Sequence, residues 1–248
     1  MANDLNKKDD TIGGGDGSVR PPNGRVLVLC DFDGTVCMTD MGNELLNRFA
    51  TGWEEIDRAY WTGEVGSRNA YCRLAPLFKM NRRELLTYVL DRGQVDPSFP
   101  AFCSFIREKG IDLKIVSDGL DVYIEAILNK HGLDIEFFSN KLTFGEEDRV
   151  GFVFPLASKE CGLCGTCKRS LLRRFREAYD WIVYVGDGYS DVCPAREADL
   201  VFAKDILYEK CTENGTACRR YADFDDVRRY LDNQLAVDEP ALRSLAGC

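Results

Sequence analysis

Three short apolar runs constrain this chain more than any other feature: RVLVLCD (Arg25 to Asp31), LKIVSD (Leu113 to Asp118) and WIVYVGD (Trp181 to Asp187), each closing on an aspartate. Nearly continuous, β-branched runs of this length suit strands buried on both faces of a parallel sheet. DLVFAK supplies a fourth. In an open parallel α/β sheet, ligands bind outside the carboxyl ends of the strands. Three strands that each deliver an aspartate to that edge build one acidic site.

The segments between the runs carry helical spacing. NELLNRFA, WEEIDRAYW, NAYCRLAPLF and RRELLTYVL place apolar residues one helical turn apart, punctuated by Gly52, Gly63, Gly66 and Asn81. A crossover between parallel strands needs only a dozen or so residues, so this stretch reads as an inserted helical cap over the site. FPAFCSFIREKG reads as the true crossover helix, stopped by Gly110. LDVYIEAILNKHG is another amphipathic helix with Gly132 at its end, EFFSNKLTFGEEDRVGFVF a β-hairpin, KRSLLRRFREA a helix and DFDDVRRYLDNQL a last helix. Alternating β and α units give a doubly wound, mostly parallel, Rossmann-like α/β sheet. The expected division is a core of 25–39 and 104–235, a cap of 40–103, a polar, Gly-rich and disordered leader of 1–24 and a tail of 236–248.

Bulk properties narrow the function. The 248 residues carry a net charge of −9, which repels nucleic acid in the absence of a local basic cluster. No apolar run approaches the roughly 20 residues that span a bilayer, and the N-terminus has no apolar signal core. A cytoplasmic enzyme, monomeric or homodimeric, without nucleic-acid or membrane partners is the expectation. Eleven cysteines without a secretory signal read as reduced thiols or metal ligands rather than a disulfide framework.

Asp31 and Asp33 flank Phe32 in DFDGT, at the end of the first run. Residues two apart on an extended segment point the same way, and two carboxylates held close need a metal or a shared proton. Metal plus nucleophile suits Asp31, whose carboxylate can attack phosphorus while Mg²⁺, a cation with oxygen ligands, is held beside it. Asp33 can protonate the leaving oxygen and later activate water. Alone, DFDGT also fits a capped acidic turn. Ser117, Asp118 and Gly119 end the second run and are candidates to bind phosphate: the Ser117 hydroxyl and the Gly119 backbone N–H can hold a phosphoryl oxygen; alone they also fit a helix cap and turn. Lys168 can neutralise charge that develops in phosphoryl transfer. Asp187 and Asp191, in GDGYSD, suit one direct metal ligand and one orienting acid. His131 is the lone histidine, which argues against phosphohistidine chemistry or a Ser-His-Asp triad.

DFDGT, SDG, Lys168 and GDGYSD in this order resemble the four motifs of the haloacid dehalogenase superfamily, over Arg25 to about Asn233. The resemblance implies a phosphatase with Asp31 as nucleophile, Asp33 as general acid and base, and Ser117 and Lys168 on the phosphate. It implies Mg²⁺ held by Asp31, the Asp33 carbonyl and Asp187, with Asp191 in support. The helical insertion resembles subfamily IB, the C1-cap group that includes phosphoserine phosphatase. DFDGTVCMTD, CGLCGTCK and GDGYSDVCPAREADLVFAKD are similar to the methionine-salvage enolphosphate phosphatases. A small phosphorylated metabolite is the implied substrate. Phosphoserine, phosphocholine-type and vitamin-phosphate esters are alternatives in that class; a phosphomutase and a non-catalytic binding protein stand outside it. Asp118 departs from many relatives, which carry Gly there; its carboxylate either repels substrate or faces away.

Two further groups carry expectations. Cys161, Cys164 and Cys167 form C-x₂-C-x₂-C. Zinc commonly takes four ligands, so a Gly-containing loop of reduced thiols is favoured over structural zinc; Cys193, Cys211 or Cys218 is the fourth ligand if zinc binds. In the cap, Asp40, Glu44, Trp53 and Arg68 are candidates to contact the leaving group, Asp40 and Glu44 foremost because they follow the first motif closely.

Overall fold

The computed structural model describes residues 11–12 and 24–236. Among these, eight strands form one sheet: β1 (Thr11–Ile12), β2 (Val26–Cys30), β3 (Asp112–Leu120), β4 (Phe137–Phe144), β5 (Val150–Val153), β6 (Trp181–Gly186), β7 (Leu200–Ala203) and β8 (Cys218–Arg220). Their order is β1-β8-β7-β6-β2-β3-β4-β5. The five inner pairings, β8 to β4, are parallel, and β1 and β5 close the edges antiparallel. This is the doubly wound α/β sheet that the apolar runs predict. Cys30 aligns with Val185 on one side and Ile115 on the other, so the aspartate-bearing ends meet at one edge.

Strand alternation explains the continuous apolar runs. Val28, Cys30, Ile115, Val183 and Val185 face one core; Leu27, Leu29, Val116, Ile182 and Tyr184 face the other. Each fully buried aliphatic side chain of this size contributes roughly 1.5–3 kcal/mol. The first core is covered by α5 (Phe99–Glu108), α6 (Asp121–Lys130) and α10 (Phe224–Ala236); Phe99, Phe102 and Phe224 interlock there at 4.6–6.2 Å between ring centroids. The second is covered by α7 (Lys168–Phe175) through Leu171, Leu172 and Phe175.

The insertion after β2 contains α1 (Met41–Phe49), α2 (Glu54–Trp61), α3 (Ser67–Leu74) and α4 (Arg82–Arg92). Its entry and exit run side by side: Met38 N–H donates to the Gln94 carbonyl at 2.8 Å, and Asp96 N–H to the Val36 carbonyl at 2.9 Å. Asp40 caps α1 by accepting from Asn43 N–H, and Asn81 with Glu84 forms a capping box on α4.

The third cap helix is shorter than its spacing predicts. It ends at Leu74, passes through a tight turn at Ala75–Leu77 and leaves Phe78 extended. Pro76 brings no N–H to continue the helix. Two small helices complete the carboxyl edge, α8 (Val192–Ala195) and α9 (Asp205–Asn214). The sequence reading passes over α9 and β8. In α9 only Leu207 and Cys211 are buried, too sparse an apolar stripe to stand out. The expected leader and tail lie outside the described residues, apart from Thr11–Ile12, which pair with β8, and Gly24 and Ala236.

Candidate active site

Two of the three strand-end aspartates, Asp31 and Asp187, converge; Asp118 does not join them and Asp191 stands in its place. Asp31 leaves β2, Asp187 leaves β6, and Asp191 follows in the turn before α8. One ligand oxygen from each lies within 4.8 Å of the others, the one such group of three or more His, Cys, Asp or Glu among the described residues. Gly34, at φ 72°, turns the chain beneath Asp187; a β-carbon there would overlap the Asp187 carboxylate.

Lys168 opens α7 and is 2% exposed. Its Nζ donates to Asp31 Oδ1 and to Asp191 Oδ1, both at 2.7 Å. Asp191 Oδ1 also accepts from Tyr184 at 2.6 Å, and its Oδ2 accepts from the N–H groups of Asp187 and Gly188 at 3.1 and 3.0 Å. Asp191 is thus saturated by protein donors and suited to supporting its neighbours. Asp31 Oδ1 accepts a second bond from Phe32 N–H at 2.6 Å, and Oδ2 has no protein donor among the described residues. Asp187 accepts from Thr35 Oγ1 at 2.7 Å.

Burial and the nearby Asp191 charge push the Asp31 carboxyl well above the usual range, against the pull of Lys168. Burial and Asp191 push Asp187 up to about 7. For Asp191, burial is outweighed by Lys168, which holds it low; for Lys168, burial is outweighed by Asp191 and Asp31, which hold it charged. With all three ionised, three carboxylates against one ammonium would leave an excess of two negative charges in a buried cluster of oxygens, which is what raises Asp31 and Asp187. A divalent cation that prefers oxygen ligands, Mg²⁺ above all, fits that excess.

Asp33 sits apart from this group. Its Oδ1 accepts from Met41 N–H at the start of α1, at 3.0 Å, and its Oδ2 accepts from the Tyr123 hydroxyl at 2.5 Å. Burial, then Asp40, pushes its carboxyl up to about 7 against those two bonds. A carboxyl in that range can give and take a proton near neutrality.

A cavity of about 220 Å³ opens over these groups. Asp31, Asp33, Ser117, Gly119, Tyr123 and Asp187 form its floor. Asp40, Asn43, Leu45, Leu46, Asp57, Tyr60, Trp61, Tyr71, Leu74 and Phe78 of the insertion form its wall. Trp61 meets Tyr189 of the core edge-on at 5.6 Å, closing one side.

Ser117 Oγ accepts from Gly119 N–H at 2.9 Å, so that N–H is used within the loop while the Ser117 O–H can turn to a phosphoryl oxygen. The Asp118 carboxylate faces away. It accepts from Thr166 N–H at 2.8 Å, Asn140 Nδ2 at 3.0 Å and the Ser67 hydroxyl of α3, while Ser67 Oγ accepts from Gly165 N–H at 3.1 Å. Tyr71 donates to the Asp118 carbonyl at 3.0 Å. Asp118 lines the cavity, but these bonds spend its carboxylate, which has no proton to donate to a phosphoryl oxygen when ionised, on a junction of cap, sheet and Cys-rich loop.

Of the cap candidates, only Asp40 lies on the cavity wall. Glu44 points to α4, accepting from Tyr88 at 2.5 Å and Arg92 at 3.3 Å. Arg68 stands over Phe154 at 5.9 Å, and Trp53 packs into the main core. Cys161 is exposed, Cys164 half-buried and Cys167 buried; the ten described cysteines are free, and the three of the loop do not converge as a ligand group.

The comparisons fit this geometry. Residues 26–212 match the family model Put_Phosphatase, described as "Putative Phosphatase". The chain belongs to this phosphatase family. It is 31% identical to the "Bifunctional enzyme MtnB/MtnX" of Bacillus licheniformis over 86% of its own length and spans about half (51%) of that relative. It is 30% identical to the "2-hydroxy-3-keto-5-methylthiopentenyl-1-phosphate phosphatase" of Brevibacillus brevis, covering 84% of the chain and 95% of that protein. A solved structure titled "Phospho-Aspartyl Intermediate Analogue of Phosphoserine phosphatase" has the same fold at 22% identity and a TM-score of 0.63, covering 83% of the chain and 98% of that structure. The family is one of phosphatases, hydrolases of phosphomonoesters, and the fold is the one that the four motifs imply.

Proposed function

We propose that the chain is a Mg²⁺-dependent phosphatase of a small metabolite, acting through a covalent phosphate on Asp31. The observation that carries this reading is the split between two neighbouring carboxylates. Asp31 is pinned through Oδ1 by Lys168, with Oδ2 left over at the cavity floor. Asp33, two residues on, is kept apart from the lysine and close to neutral. One is built to attack and the other to move protons.

Asp31, the Asp33 carbonyl and Asp187 would hold Mg²⁺, which when bound offsets charge on the phosphoryl group and the carboxylates. Asp31 attacks phosphorus from Oδ2 while Lys168 holds Oδ1 and the Ser117 hydroxyl binds a phosphoryl oxygen. Asp33 gives its proton to the leaving oxygen. After the product departs, Asp33 takes a proton from water as that water attacks the phosphorus of the aspartyl-phosphate and frees Asp31. The insertion over the cavity keeps bulk water out.

For the leaving group, a methionine-salvage enolphosphate is the best reading, supported by the name of the relative from Brevibacillus brevis. The wall agrees with it. Leu45, Leu46, Leu74 and Phe78 offer an apolar end suited to a thioether, and among the described residues no Lys, Arg or His lines the cavity to receive a serine carboxylate. A panel of phosphorylated metabolites tests this. The expected kcat/KM for 2-hydroxy-3-keto-5-methylthiopentenyl-1-phosphate is at least about 10-fold above that for phosphoserine, about 1.4 kcal/mol of discrimination. A preference for phosphoserine contradicts the substrate and leaves the mechanism standing.

A further inference from the structure

Tyr123 is a buried tyrosine that the chemistry above does not use. It lies in the first turn of α6, directly after the strand that ends in Ser117-Asp118-Gly119, and is 1% exposed. Its hydroxyl donates to Asp33 Oδ2 at 2.5 Å, and its ring lies against Phe32 at 6.1 Å. Gly119 makes the approach possible. A β-carbon there would overlap the tyrosine hydroxyl and come within 2.6 Å of Asp33 Oδ2. Here the backbone withdraws so that one phenol can reach one carboxylate.

We infer that Tyr123 is the positioning residue of Asp33, fixing which of its oxygens delivers the proton and supporting the carboxylate that remains. The inference rests on Asp33 being the general acid. In the transfer step, the Asp31 oxygen forms a bond to phosphorus as the bond from phosphorus to the leaving oxygen breaks. The electron pair of the broken bond stays on the leaving oxygen, which takes the Asp33 proton. Asp33 is left as a carboxylate at the moment when Tyr123 O–H and Met41 N–H are both aimed at it. Hydrogen bonds to a carboxylate favour its charged form, so the tyrosine assists the acid only while a proton is leaving it. Without the hydroxyl, the carboxyl can turn about its bond to the β-carbon, held by Met41 alone.

The need for that proton scales with how poor the leaving group is. A p-nitrophenolate leaves without one; an alkoxide does not. The test compares p-nitrophenyl phosphate with an alkyl phosphate in the wild type, Tyr123→Phe and Asp33→Asn proteins, all with saturating Mg²⁺. The expected result for Tyr123→Phe is a fall in kcat at least about 10-fold larger on the alkyl phosphate than on p-nitrophenyl phosphate, a fraction of the ~10²–10⁴-fold that a whole general acid supplies. Inhibition by inorganic phosphate should stay within a factor of about 3, because the effect lies on proton delivery and not on phosphate binding. Equal losses on both substrates, or none, overturn the inference while a leaving-group-dependent loss in Asp33→Asn upholds the acid itself. If Asp33→Asn also loses equally on both, the general-acid reading fails and the inference with it. Should Tyr123→Phe not fold, Tyr123→Met, which removes the hydroxyl and still fills the apolar site beside Phe32, is judged on the same ratio.

Discussion

Lys168 is the residue on which the site's charge balance turns. It is buried between Asp31 and Asp191 at 2.7 Å from each. Removing one partner of a buried ionic group leaves the others uncompensated and costs about 3–5 kcal/mol. Lys168→Met should therefore lower unfolding stability by about that amount in denaturant titrations without metal, and lose activity as well. A loss below about 1 kcal/mol would mean the carboxylates do not depend on it. Asp31, Asp33, Lys168 and Asp187 were legible in the sequence because strand ends and motif order select them. Glu44 was misread for a local reason. It lies one helical turn beyond Asp40, and the phase of α1 carries it round to Tyr88 and Arg92 of α4. Tyr123 went unread because an aromatic in an amphipathic helix looks like core. The available signal was its place in the first turn after a strand-end motif, where a helix meets the ligand edge.

Among the elements, α3 and the Cys-rich loop are tied through Asp118. Ser67 donates to Asp118 and accepts from Gly165, while Asn140 of β4 and Thr166 complete the junction. No sequence spacing links these residues; tertiary packing alone assembles them. The Asp118 oxygens are thereby spent on the cap and the loop. Ser67→Ala removes one donor to a desolvated carboxylate and one acceptor for a backbone N–H, worth about 1–3 kcal/mol. Hydrogen exchange should quicken across Ser67–Leu74 while Phe99–Glu108, packed in the main core, keeps its protection. Unchanged exchange in α3 would show that the junction does not hold the cap. The four cap helices themselves were legible from their spacing. The shortening at Pro76 was also visible in the letters, since a proline inside a periodic run ends or kinks the helix.

The whole molecule combines an acidic edge, an apolar-walled cavity and a net charge of −9, and a phosphate ester is its proposed substrate. That combination works only with a cation at the strand ends. Mg²⁺ should raise the unfolding midpoint in the absence of substrate, by about 2.7 kcal/mol of stability at 100 times its Kd, and chelation should abolish turnover. A midpoint indifferent to Mg²⁺ would contradict the assignment of the aspartate cluster. The doubly wound sheet was legible because its inner strands are apolar on both faces. The short strands β1 and β8 were not, since two or three residues carry no period. Among the described residues no helix is long and apolar enough to cross a membrane. The central claim is the covalent phosphate on Asp31, and borohydride trapping during turnover tests it most directly. Borohydride reduces an acyl phosphate to the alcohol, so the account predicts homoserine in place of Asp31 in peptide mass spectra, only when substrate and Mg²⁺ are both present. An unaltered Asp31 under turnover, or reduction at another carboxylate, would contradict it.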